Sequence, residues 1–328
     1  MSVTPPDNIG DPFRPAPHAR GRFRNLVEHE PHGFLTALHW LATRRPPPWP
    51  RNVAASVGPK PVPRVDGARM RVTLIGHATV LIQVAGLNLI TDPIWSERAG
   101  PVSWFGPKRV RPAGIAFDDL PPINAVLLSH SHYDHLDRPT LKALLKRDRP
   151  LVVTGLKVGA AVPGQPRAVE LDWWQSHALS GGVTATYVPA QHFSARGPFD
   201  RNKRLWGGFV LESPAGTIYF SGDTGQGPHI AAIRRRFGPM RLALLPIGAY
   251  LPRWFMASVH MSPEEAVDAC ETLEAAIALP LHYGVFPLAD DSYGEPLRML
   301  NDALEARRAA GRALDFRAPE FGEAVEIV

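Results

Sequence analysis

The sequence predicts an α/β fold with two β layers covered by helices on their outer sides. Two observations lead there. From Met70 onward, short β-rich apolar runs alternate with segments of helical period. Histidine and aspartate groups then stand directly after several of those runs, where strands would deliver them to a sheet edge. With 328 residues and 45% apolar composition, the chain can bury a sizeable core.

In chain order, the front is rich in proline: Pro5, Pro6, Pro12, Pro15 and Pro17, then Pro46, Pro47, Pro48 and Pro50, then Pro59, Pro61 and Pro63. Proline fixes φ and donates no backbone hydrogen bond, so this spacing favours extended, poorly packed chain. Residues 1–65 are expected as an extension and residues 66–328 as one catalytic domain. Inside the extension, Gly33 to Arg45 carries Phe34, Leu35, Leu38, Leu41 and Ala42 at helical spacing before Arg44 and Arg45. Two placements stay open for this short amphipathic helix: flat on a membrane surface with its arginines at the head groups, or packed against the main domain.

Arg71 to Ile75, Val80 to Val84 and Leu87 to Thr91 predict a meander of adjacent strands. Ala125 to Leu128 predicts the next strand. Asp137 and Pro139 then open a helix with Leu141, Leu144 and Leu145 on one face. Further strands are expected at residues 151–154, 183–188, 208–211, 217–221, 242–247 and 276–281, and helices at 230–237, 263–275 and 296–310.

Composition removes several function classes. The formal charge of +5 is spread over a long chain with scattered Lys and Arg, so no nucleic-acid partner is expected, while anionic lipid or phosphate substrates fit. Cys270 is the only cysteine, which excludes an internal disulfide framework and a thiolate cluster. Any metal must rest on imidazole and carboxylate. Met1 to Arg14 carries Asp7 and Asp11 without a continuous apolar run and does not read as a secretory signal. No stretch approaches the roughly 20 apolar residues of a spanning helix. A cytoplasmic protein, with peripheral membrane association if the short helix lies on a bilayer, is the expectation. The sequence admits a homodimer without specifying one.

The densest chemistry lies between Leu128 and Asp137. His130, His132 and His135 with Asp134 and Asp137 place three imidazoles and two carboxylates directly after an apolar run. Imidazole nitrogen and carboxylate oxygen suit zinc and similar divalent ions. If the strand stays extended, His130 and His132 share one side, and Asp134 and His135 follow at a turn that can aim both at a second ion. The pattern reads as a two-metal motif, His-x-His-x-Asp-His. A site of that kind needs further ligands, and His192, Asp223 and His282 each end a predicted strand.

This order of motifs resembles the metallo-β-lactamase superfamily. The resemblance narrows through Ile75-Gly-His-Ala-Thr79, Thr91-Asp-Pro-Ile-Trp95, Gly106-Pro-Lys-Arg109, Glu170-Leu-Asp-Trp-Trp174, Leu205-Trp-Gly207, Pro246-Ile-Gly-Ala-Tyr250, Pro252-Arg-Trp-Phe-Met256 and His260-Met-Ser-Pro-Glu-Glu-Ala266. These runs are similar to the N-acylphosphatidylethanolamine-hydrolysing phospholipase D family, over most of the chain. The resemblance implies an αβ/βα four-layer sandwich with two divalent ions, Zn2+ by expectation. One ion would be held by His130, His132 and His192, the other by Asp134, His135 and His282, with Asp223 bridging. Asp92 would orient a ligand imidazole through its second N–H, or serve only as a turn residue.

The implied reaction is hydrolysis of a phospholipid phosphodiester, releasing N-acylethanolamine and leaving phosphatidic acid, by attack of a metal-bridging hydroxide. Asp134 and His260 are the expected catalytic residues, with His260 a candidate proton donor to the leaving alkoxide. Tyr133, Tyr250, Arg253 and Trp254 are expected to line the substrate pocket. Phe193-Ser-Ala-Arg-Gly-Pro198 and the proline-rich front depart from the vertebrate pattern, which leaves acyl-chain and head-group preference open. A lactonase or other acyl hydrolase of the same fold competes with this reading, as do a nuclease and a binding protein with structural metals.

Overall fold

The computed structural model describes residues 11–28, 34–164 and 168–327. Met1 to Gly10, Gly33 and the side chains of Phe34, Leu35 and Leu41 lie outside them.

Strands β1 (His18–Ala19) and β2 (Arg22–Phe23) form a small hairpin, and helix α1 (Phe34–Thr43) follows. Next come β3 (Met70–Gly76), β4 (Thr79–Val84) and β5 (Leu87–Thr91), the expected antiparallel meander. β6 (Ala125–Leu128), α2 (Arg138–Arg147), β7 (Leu151–Gly155) and β8 (Val169–Leu171) continue the same sheet in parallel. The second half carries β9 (Ser176–Ala178), β10 (Thr184–Val188), β11 (Gly208–Ser213) and β12 (Gly216–Phe220). It goes on through α3 (His229–Phe237), β13 (Leu242–Pro246), α4 (Arg253–Met256), α5 (Pro263–Thr272), β14 (Ile277–Leu281) and α6 (Glu295–Ala309). The last strand, β15 (Ala324–Ile327), returns to the first sheet beside β3.

The first sheet runs β15-β3-β4-β5-β6-β7-β8 and the second β14-β13-β12-β11-β10-β9. Period-two alternation assigns each face of the first sheet. Val80, Ile82 and Val84, with Leu89, Leu127 and Val153, enter a core shared with Tyr187, Phe209, Leu211, Phe220 and Leu244 of the second sheet. Their neighbours Leu81, Ile90, Val126, Leu128 and Val152 face the other way and pack on Leu141 and Leu144 of α2. Ile230 and Ile233 of α3, Val267 and Cys270 of α5 and Leu300 of α6 join the larger core from the second half. Helix α5 starts where Ser262 caps it: Glu265 N–H donates to the Ser262 hydroxyl, and Ser262 N–H donates back to the Glu265 carboxylate.

The front of the chain differs from the expected loose extension. Ala16, Phe23 and Leu26 are buried in the main core, because two-residue strands and single apolar anchors need no periodic pattern to pack. Helix α1 takes the second of its two placements. Trp40 is buried with Ala249, Met256 and Ala289, its indole N–H donates to Asp290, and Arg44 pairs with Asp290. No helix among the described residues is long and apolar enough to cross a membrane.

Candidate metal centre

The parallel pair β5 and β6 ends side by side, and that register places Asp92 against the Ser129–His130 turn. Asp92 is fully buried. It accepts from Ser129 N–H at 2.7 Å, from the Ser129 hydroxyl, and from Nδ1 of His135 at 2.7 Å. The carboxylate expected to orient a ligand imidazole thus holds His135 so that its Nε2 faces inward. Close packing fixes the same corner from the opposite sheet: Gly222, at φ +59°, would set a Cβ 2.6 Å from that of Ser129.

His130, His132, Asp134 and His135 reach the centre from the end of β6, His192 from the end of β10, Asp223 from the end of β12, and His282 from the end of β14. Besides the overlapping threes Asp92, His130, His135 and Asp223, His260, His282, the donor atoms form two groups of four. His130, His132, His192 and Asp223 make one, and His77, Asp134, His135 and His282 the other, with all atoms of each group within 4.8 Å of one another. Asp223 Oδ2 stands between them, 3.7 Å from Nε2 of His192 and 4.0 Å from Nε2 of His130, but 3.1 Å from His135 and 3.2 Å from His282. Asp134 Oδ2 lies 3.4 Å from His135, 3.3 Å from His282 and 2.9 Å from His77.

These residues fit divalent ions. Nε2 of His130 lies 2.8 Å from Nδ1 of His132, which lies 3.2 Å from Nε2 of His192. Burial lowers the pKa of all three imidazoles, that of His132 to about 4, so the rings are neutral. His192 gives its Nδ1–H to the Val259 carbonyl and so turns a bare Nε2 toward His132, whose Nδ1 can bond to only one of its two neighbours at a time. A cation between the three would accept every lone pair, and ligands on one tetrahedral zinc stand about 3.3 Å apart. His135 Nε2 and Asp223 Oδ1 are buried without hydrogen-bond partners, as unfilled ligand positions would be.

The other group carries the charge. Burial alone would lower His135 and His282, but Asp223 and Asp134 raise His135 well above its ordinary value and His282 to about 9. Burial would raise Asp134 and Asp223, yet His135, joined at Asp223 by His282, holds both well below the carboxylate range. Without metal, His135 and His282 pair with Asp223 and Asp134 where cationic charge would sit.

Sequence reasoning missed His77. It follows β3 as the other residues of these groups follow their strands, at φ +58°, and its carbonyl accepts from His282 N–H at 2.9 Å. Burial lowers its pKa to about 3, so it donates Nε2–H to Asp134 as a neutral ring. The signal was present in Gly76-His77, but a single histidine at a turn has no pattern of its own.

A cavity of about 510 Å³ opens on this centre, with His132, Asp134, His192, Asp223, His260 and His282 in its wall. His260 is buried, 5.1 Å from the His192 ring and 5.2 Å from the His282 ring. Its Nδ1 lacks a partner, and burial lowers its pKa to about 4. Phe193, Phe255, Met256 and Leu288 give the cavity an apolar side. Arg201 stands there too, its guanidinium 4.0 Å over the Phe193 ring and in no salt bridge among the described residues.

The residues expected to contact substrate lie elsewhere than on this wall. Arg253 is spoken for, with a bidentate pair to Glu265 at 2.8 Å and a bond to the His260 carbonyl at 3.0 Å. Tyr133 donates to the Arg196 carbonyl and carries the Arg196 guanidinium on its ring. Tyr250 is buried, and Trp254 is 55% exposed, 5.5 Å from Phe255. Tyr133, Tyr250 and Trp254 each sit one residue from a cavity residue in sequence, Asp134, Ala249 and Phe255, and that neighbour takes the inward position; Arg253 sits two residues before Phe255.

Comparison with known proteins gives a consistent picture. The beta-lactamase superfamily domain matches residues 87–283. An uncharacterized protein of Mycobacterium tuberculosis is 41% identical over 250 residues, 74% of this chain and 66% of that protein's length. The Caenorhabditis elegans N-acyl-phosphatidylethanolamine-hydrolyzing phospholipase D 1 is 38% identical over 248 residues, 72% of this chain and 70% of that protein. In fold, a metallo hydrolase from the archaeon Ignicoccus hospitalis superposes with a TM-score of 0.60 at 21% identity, covering 79% of this chain and 99% of that one.

Proposed function

The chain belongs to the β-lactamase superfamily and carries its metal-dependent hydrolase fold, and on that premise we propose that it hydrolyses phospholipid phosphodiesters in the manner of a phospholipase D. The substrate class is N-acylphosphatidylethanolamine or a close relative, split to N-acylethanolamine and phosphatidic acid. The observation that carries the reading is the pairing, in one cavity, of a two-group His/Asp centre with the arginine Arg201 and an apolar side. A phosphodiester with acyl chains needs all three.

His130, His132 and His192 would hold one ion, Asp134, His135 and His282 the other, and Asp223 would serve both; Zn2+ suits the donors. Two such ions lower the pKa of water and neutralise charge that develops on a phosphoryl group. The protein's own residues then set orientation. Arg201, its guanidinium 4.0 Å over the Phe193 ring, offers N–H donors to a phosphate oxygen. Phe193, Phe255, Met256 and Leu288 exclude water and take acyl chain. Asp92 fixes His135 in the tautomer that leaves its Nε2 free, and His77 steadies Asp134 through Oδ2, the oxygen that also faces His135 and His282. His260, neutral at physiological pH, presents a ring N–H to the leaving oxygen as a hydrogen-bond donor. A substrate of this class resides in lipid aggregates, so peripheral contact with a membrane surface belongs to the same proposal.

The test is the full chain, metal-free and then loaded with Zn2+, assayed on N-acylphosphatidylethanolamine in detergent micelles and on a lactone. Release of N-acylethanolamine only after loading is expected. Lactone turnover without diester turnover would move the chain to acyl hydrolysis.

A further inference from the structure

The segment before Glu28 lies outside the superfamily match at residues 87–283, yet it reaches the metal centre. Asn25 grips the backbone of His192 at both ends. Its Nδ2 donates to the His192 carbonyl at 2.9 Å, and its Oδ1 accepts from His192 N–H at 3.1 Å. The same Oδ1 accepts the Trp206 indole N–H at 2.9 Å. One amide thus joins the front of the chain to the turn after β10 and the turn before β11.

We infer that Asn25 is a positioning residue of the metal centre, fixing His192 from a strap that precedes the superfamily domain. This rests on the reading of His192 as a metal ligand. The His192 ring is held at Nδ1 by the Val259 carbonyl at 2.9 Å, so its Nε2 turns inward. Ring orientation alone does not fix where the Cα stands. The reciprocal amide pair does, because it opposes both sliding and tilting of that backbone unit. His192 is 1% exposed, so without Asn25 its N–H and C=O would be buried with no partner and the turn would move to find others.

The strap is a firm support independently of Asn25. Phe23 and Leu26 are buried on either side of it. Phe23 N–H donates to the Asn202 carbonyl at 2.8 Å, Ala16 N–H to Asp172 at 3.0 Å, and the Gln191 side chain to the Val27 carbonyl at 2.9 Å. Arg24, Asn25 and Glu28 also line the cavity, so the strap forms part of the wall that substrate meets.

Asn25→Ala in the full chain, loaded with Zn2+ or Co2+, tests the inference. Competition against a chelator should show one of the two ions held about 10- to 100-fold more weakly. The visible absorption of the cobalt protein should change, with far-UV circular dichroism intact. Asn25→Gln keeps both the acceptor and the donor on a longer arm; it should fall between the wild type and Asn25→Ala, and it serves if the alanine variant does not fold. A purely structural role would lower the melting temperature of metal-free and loaded protein alike, with metal affinity and cobalt spectrum unchanged, and that result overturns the inference. His192→Ala, run alongside, should lose the same ion outright. If it loses the ion while the Asn25 variants keep theirs, the inference alone falls. If His192→Ala holds both ions at wild-type affinity, the ligand assignment falls and takes the inference with it.

Discussion

Replacing Asp92 with asparagine changes one atom in the core of the site and should cost metal. The carboxylate is fully buried and accepts from Ser129 N–H, the Ser129 hydroxyl and His135 Nδ1. In Asp92→Asn the oxygen keeps the Ser129 N–H, so the new NH2 faces His135. An amide NH2 only donates. The imidazole must then offer its Nδ1 lone pair and carry its proton on Nε2, the atom 3.1 Å from Asp223 that a metal needs bare. Losing a hydrogen bond to a charged group costs about 1.5–3 kcal/mol. At about 1.4 kcal/mol per decade, that is a 10- to 100-fold loss of affinity at the ion bound by Asp134, His135 and His282. Chelator competition on zinc-loaded protein reads this directly, with the second ion as internal reference. Two ions bound at wild-type affinity in a correctly folded Asp92→Asn variant would refute the tautomer argument.

Zinc loading of metal-free protein at pH 7.5 should release protons from His135, from His282 at about 9, and from any metal-bound water that ionises, as measured by calorimetry in buffers of different ionisation enthalpy; release near zero would contradict the charge assignment. The raised His282 value also stabilises the metal-free fold below about pH 6.5, a contribution lost as pH rises through about 9. His229 works in the opposite sense. Buried against Thr224 and lowered to about 3, it should make melting temperature fall as pH drops below 6.5, with a shallower slope in His229→Gln. Arg201→Ala should raise KM for anionic diesters about tenfold or more. Arg253→Ala should lower stability by about 1 kcal/mol through the half-exposed Glu265 pair and leave that KM unchanged; the reverse pattern would exchange their roles.

Much of the site was legible because the candidate ligands form a pattern. His130, His132, Asp134 and His135 cluster after an apolar run, and His192, Asp223 and His282 each follow a β-rich run. Asp92 stood in the same relation to β5. Residues that act on backbone left no such trace. Asn25 holds His192 from 167 positions away, and nothing in Arg24-Asn25-Leu26 marks it. Arg253 and Trp254 show the converse limit, for in a one-turn helix the sequence does not say which side chain faces the cavity. Elements missed in the fold, such as β8, β9 and β15, are three or four residues long and gain their order from neighbours already in place.

The candidate ligands come from both sheets, and that origin bears on the fate of the protein as well as its rate. His132 and His192 are 60 residues apart in the chain, Asp134 and His282 148, and the only cysteine is buried and free. Ions held between them would close loops that no disulfide closes, each cross-link of that length being worth on the order of 4–5 kcal/mol in chain entropy. Molecules made when metal is scarce would lack these staples, open more often along the seam between the halves and meet proteases there. Steady-state abundance should therefore track metal supply, even for a variant that has lost all turnover but kept its ligands.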